Sequence, residues 1–181
     1  MFERTKSGAN ESRHSSVCAD DADATFRSCD GILFKVHRKN LETHSEGFSP
    51  PPSTSSQNQI VPLTENADTL DLLFQFTYPR RQPDLTDIEF KQLAELAEAA
   101  EKYQVFTAMA SCNTCMSAAY EQHPFEVMLY ALRHGYGKLM DKAEKKALEL
   151  SPTLAFDSFT PQVYIAWVSQ VPRLIPVNYI E

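Results

Sequence analysis

"DGILFKVHRKNLETHSEGF", Asp30 to Phe48, compresses a turn, a strand and a helix into one stretch. Asp30-Gly31 supplies the positive-φ residues of a tight hairpin turn. Ile32, Phe34 and Val36 alternate with Leu33 and Lys35, the period of a half-buried strand. Upstream, Ala24, Phe26 and Ser28 alternate with Thr25 and Arg27, so the turn joins two strands. From His37 the composition becomes helix-forming, and Gly47 reads as its stop signal.

The same stretch is dense in polar residues, which raises the question of a site. His37 and His44 are seven positions apart, about 10 Å along a straight helix. Zinc holds its nitrogen ligands at about 2 Å, and paired helical histidines use spacing four. One helix therefore does not let them share a metal. The spacing leaves His37 to pack or cap at the strand-to-helix junction and His44 to face water. Cys112-Asn-Thr-Cys115 is a C-x-x-C, but no second pair completes a zinc set, and Cys18 and Cys29 are isolated. It lies inside a helical pattern after Phe106 and Met109, where a redox pair would open a helix after a strand. The reading is of small buried hydrophobes. No G-x-S-x-G elbow is present. Glu95, Glu98 and Glu101 are expected to form a solvated helix face, and Tyr164, Trp167 and Val168 to pack the last helix. No catalytic residue, metal or cofactor is expected.

Outward from the opening stretch, Met1 to Ser16 is polar and reads as a disordered tail without the apolar region of a signal peptide. Ser49 to Gln59 carries three consecutive prolines and reads as a loop. Ile60 to Leu63 is a short strand, and Pro62, lacking a ladder donor, puts it at an edge. Leu70, Leu73, Phe74 and Thr77 have the spacing of an amphipathic helix capped by Asn66 or Asp68. Thr86 and Glu89 form a capping-box pattern for a long helix with Phe90, Leu93, Ala97 and Ala100 on one face. Further helices are expected over residues 105–120, after Pro124, from Lys138 and around Trp167. The order is not βαβαβ, and no glycine-rich phosphate loop follows a strand.

With 181 residues and 43% hydrophobic composition, the chain is long enough for one domain plus extensions. Its net charge of −7 argues against nucleic-acid binding, which runs on phosphate neutralisation, and against anionic membranes. No apolar run approaches the ~20 residues of a membrane span. Four cysteines without a secretory signal suggest reduced thiols in an intracellular protein, in the cytoplasm or nucleus.

The motifs together resemble the BTB/POZ domain from about Asp20 to Ala119. The family pattern of an Asp before strand one, a D-G turn, a hydrophobic-x-x-His-basic-x-x-Leu element and a serine followed by an aromatic is matched by "ADATF" and "DGILFKVHRKNLETHSEGF". "IVPLTENADTLDLLFQFTY" is similar to its strand, helix and aromatic-ending element, and "AEKYQV" to its A-x-x-Y-x-V. The phrasing also looks like the large group of fungal BTB proteins. The resemblance implies an α+β fold, with an N-terminal hairpin and short sheet packed on a helical bundle. It sets a tail at 1–18, the domain at 19–119 and a short helical extension at 120–181. It implies a non-enzymatic interaction module that forms homodimers or BTB heterodimers and recruits protein partners. Asp23 and Arg38 match a charged pocket near the dimer interface, His37 the family's buried histidine and Leu41 the leucine beside it. Many relatives are substrate adaptors of cullin-type ubiquitin ligases and others are transcriptional regulators. The hydrophobic-x-acidic element of the cullin-binding relatives has no counterpart in Ser49–Gln59, which lacks any acidic residue.

Overall fold

The computed structural model describes residues 21–48, 60–150, 154–156 and 159–174. The expected tail and the loop of three prolines lie outside the described residues. So does the side chain of Val168.

The Asp30-Gly31 turn joins β1 (Ala24–Arg27) to β2 (Leu33–Val36) as an antiparallel pair. Of the pair expected to supply positive φ, only Gly31 does so, at +89°, a conformation that a glycine adopts without steric cost; Asp30 does not. After α1 (Arg38–His44), β3 (Ile60–Pro62) adds in parallel to the far side of β1. The sheet order is β2-β1-β3, so Pro62 sits on an edge strand as its missing donor requires. Helices follow: α2 (Ala67–Gln75), α3 (Phe90–Tyr103), α4 (Phe106–Ala119), α5 (Pro124–His134), α6 (Gly137–Ala147) and α7 (Pro161–Leu174). The small sheet with its helices is an α+β fold. Among the described residues, no helix is long and apolar enough to cross a membrane.

Two compact units divide the described residues: those up to 84 with 95–109, and those of 85–94 with those from 110 on. In the first, register settles what the sheet buries. Phe34 stands opposite Phe26, and both point inward onto Phe74 of α2 at 5.5 Å between ring centroids. Leu70, Leu73, Phe74 and Thr77 are all buried, as the helical spacing requires. Phe48 packs on Phe26, Phe74 and Tyr103, which extends the aromatic core to the end of α3. In the second unit, Phe125, Phe159 and Trp167 pack edge-to-face, so Trp167 is core.

Two expectations change. The long helix begins at Phe90, because Thr86 and Asp87 form a turn that carries the chain from buried Leu85. The glutamates of α3 are not a solvated face. Glu101 is buried, and a carboxylate oxygen of Glu95 accepts a 2.8 Å hydrogen bond from Asn66 Nδ2, which ties α3 to the N-terminus of α2.

Candidate interaction surface and the frame that holds it

Helix α1 begins with N–H groups that need partners. His37, at its N-cap, makes no side-chain cap. The acceptor comes from across the hairpin: Asp23 Oδ1 takes the Arg38 backbone N–H at 2.7 Å. A carboxylate there also opposes the positive end of the helix. Asp23 and Arg38 are thus brought together, but through the backbone of Arg38. In the single chain Asp23 is exposed and Arg38 half-buried, so the two do not form a buried pocket within one chain.

His37 is half-buried, its side chain 31% exposed, because its ring lies along the corner rather than beneath it. This corrects the expectation of a buried histidine. Tyr78 Oη accepts the His37 backbone N–H at 3.2 Å and lies 3.0 Å from Nδ1. Because the phenol oxygen already accepts, its own proton is free to go to Nδ1. That leaves Nε2 to carry the ring proton, 3.1 Å from Asp21 Oδ1. Leu41 is buried and anchors α1 on the core. His44 is half-buried, and among the described residues no group of three His, Cys, Asp or Glu could hold a metal. Cys112 is buried within α4 and Cys115 half-buried.

At its other end, α1 leads into the contact that fixes the frame. Helix α3 ends in a Schellman motif: Val105 N–H returns to the Ala100 carbonyl at 3.0 Å and Gln104 N–H to that of Glu101 at 3.3 Å. Gln104 occupies the left-handed position at φ 52°, a conformation that costs a non-glycine residue about 1–2 kcal/mol. The Tyr103 carbonyl is left over, and the segment after α1 satisfies it. Ser45 Oγ donates to it, and Gly47 N–H donates at 3.0 Å. Ser45 also forms an antiparallel bridge with Val105. A Cβ on Gly47 would stand 2.6–2.7 Å from the backbone of Tyr103, so only glycine allows this approach. Phe48 then stacks on the Tyr103 ring at 4.4 Å.

The phenol of Tyr103 donates to Glu65 Oε2 at 2.6 Å, and Lys102 Nζ reaches Glu65 Oε1 at 2.7 Å. Burial acts to raise the Glu65 carboxyl, but the hydrogen bonds from Lys102 and Tyr103 outweigh it and hold the group below its ordinary value. Burial, then the bond to Glu65, pushes Tyr103 up to about 12. Burial acts against the Lys102 ammonium, and its bonds to Glu65 and Tyr103 more than compensate, raising it.

On this frame the sheet turns one face outward. Its two outward rows run Leu33–Arg27–Pro62 and Lys35–Thr25–Ile60. Leu33 is 45% and Ile60 47% exposed. Tyr78, Tyr103, Gly47 and Glu65 were not singled out from the sequence as structural contacts. The signals for two were the closing tyrosine of "FTY" and the tyrosine of "AEKYQV".

A small sheet followed by α1, with α2 and the α3–α4 elbow packed over it, is the frame of the first unit. A family profile of the BTB/POZ domain matches residues 10–119, more than half of the chain, and the chain belongs to that family. The BTB/POZ domain is a protein–protein interaction module. No curated protein matches the chain significantly.

Gly47→Ala should lower the stability of the sheet unit by about 1–3 kcal/mol or more, since the clash is with backbone. Gly31→Ala has open space around it and should cost only the left-handed penalty, about 1–2 kcal/mol. Urea unfolding of both variants checks the order; equal losses would contradict the close approach.

The Glu65 cluster sets a pH dependence. The folded carboxyl ionises below its unfolded value of 4.5, so its stabilisation is complete above that value and lost as pH falls through the folded one. Lys102 and Tyr103 titrate above their unfolded values of 10.5 and 10.0, so their share is complete below those values and lost as pH rises through the folded ones. Denaturant titrations across pH should show Glu65→Gln flattening the acid limb while leaving neutral pH as the less stable variant.

Proposed function

We propose that the chain dimerises through its hairpin and first helix and recruits a protein partner with its later helices. The observation that carries this reading is the outward sheet face, where Leu33 and Ile60 stand about half exposed on the same side as Arg27 and Lys35. A face of large apolar residues on a rigid sheet is the composition of a contact surface. Asp23 and the half-buried Arg38 lie at the start of α1, and a second copy would bring a further carboxylate and guanidinium to that corner. Family membership gives the reading its class. For the recruiting helices, the support is apolar side chains left exposed on the helical unit: Leu132, Phe156 and Ile165. Residues 120–181 fit the role of a helical extension to a domain spanning 19–119.

Sedimentation velocity at micromolar concentration should give a species of twice the 20.5 kDa chain mass. Pairing Leu33→Asp with Ile60→Asp should shift it to monomer, with circular dichroism unchanged because both sites are exposed. A wild-type chain that stays monomeric would overturn the dimer.

A further inference from the structure

A cleft of about 410 Å³ opens in the helical unit between α4 and the start of α6, lined by Asn113, Ser117, Tyr136, Lys138 and Lys142. The charge placement there is unusual. The chain as a whole carries −7, yet two lysines share this cleft and no carboxylate lines it. Lys138 and Lys142 are four apart on one helix, where like charges repel. Lys138 also sits in the first turn of α6, which has no acidic residue there and no side-chain cap at Tyr136. Cations are disfavoured at that end of a helix. Among the described residues neither lysine has an ion-pair partner.

Asn113 adds an independent observation from a different helix. Its Nδ2 is out of contact with solvent and has no hydrogen-bond acceptor. A buried amide donor left unpaired is costly. Asn113 itself lines the cleft, and the terminal torsion of an asparagine side chain is broad. Three kinds of donor thus line one cleft: two ammonium groups, an amide and the Ser117 hydroxyl.

We propose that this cleft binds a phosphate-type oxyanion. A phosphate monoester carries between one and two negative charges near neutral pH and offers three acceptor oxygens. It would neutralise the lysine pair and give the orphaned amide its acceptor. The volume suits the head of a phosphorylated side chain or a small phosphate ester. Lysine serves such ligands as a point charge.

The full chain is titrated with inorganic phosphate at roughly 50 mM ionic strength, where screening is weak, following ¹H–¹⁵N shifts. Saturable shifts are expected at the Asn113 side-chain amide, Ser117 and the Gly137–Lys142 backbone. Lys138→Gln with Lys142→Gln should weaken binding by at least about tenfold. Shifts that do not saturate, or that the double variant leaves unchanged, would overturn the site. A phosphoserine peptide and its unphosphorylated form are titrated in parallel. A phosphopeptide about tenfold tighter than inorganic phosphate assigns the oxyanion to a protein partner, and equal affinity assigns it to a free phosphate ester. An unphosphorylated peptide that binds as well as the phosphopeptide would overturn the phosphate assignment.

Discussion

The sheet unit depends on one leftover carbonyl. A Schellman ending satisfies the carbonyls of Ala100 and Glu101 but leaves that of Tyr103, the C-cap, pointing away from α3. Ser45 and Gly47 fill it, and doing so fixes where the chain goes after α1. The absence of a Cβ at Gly47 lets two backbones meet, and Phe48 is then laid flat on the Tyr103 ring. The same tyrosine reaches Glu65, whose backbone carbonyl takes the Cys29 N–H from the hairpin at 2.9 Å. Hairpin, helix exit, β3–α2 link and the end of α3 are thus tied at a single residue. The left-handed strain at Gln104 is offset by the bonds that it makes possible.

A second economy lies in the acids of the hairpin. Asp23 caps α1 through Arg38 N–H, and Asp30, in the turn itself, accepts the Ala67 N–H at the start of α2 at 3.0 Å. One N–H at the start of α1 and one at the start of α2 are therefore satisfied from the hairpin, while Asn66 caps α2 itself through the Thr69 N–H. Because these bonds lie at the ends and inner side of the sheet, its outer face is free of structural duty. This separation lets Leu33 and Ile60 stand exposed on a stable frame.

Much of this was legible from residue order. Period-two alternation gave the hairpin and its inward phenylalanines, because side-chain alternation is a property of the strand itself. The spacing of Leu70, Leu73, Phe74 and Thr77 predicted the buried face of α2 for the same kind of reason. What escaped was long-range pairing. Glu95 looked solvated because its neighbours on α3 are acidic, while its partner Asn66 is 29 positions away in sequence. His37 looked buried by family resemblance, whereas Tyr78 and Asp21 hold its ring at the margin of the fold. Gly47 read as a helix stop; that it is also a backbone docking point required knowing that Tyr103 arrives beside it.

Native-state amide hydrogen exchange tests the Gly47–Tyr103 contact most directly. The Gly47 N–H, although close to the surface, should exchange only with global opening of the sheet unit, as slowly as the amides of Phe34 and Leu73. Exchange of Gly47 at the rate of a freely opening loop, while those core amides stay protected, would contradict it.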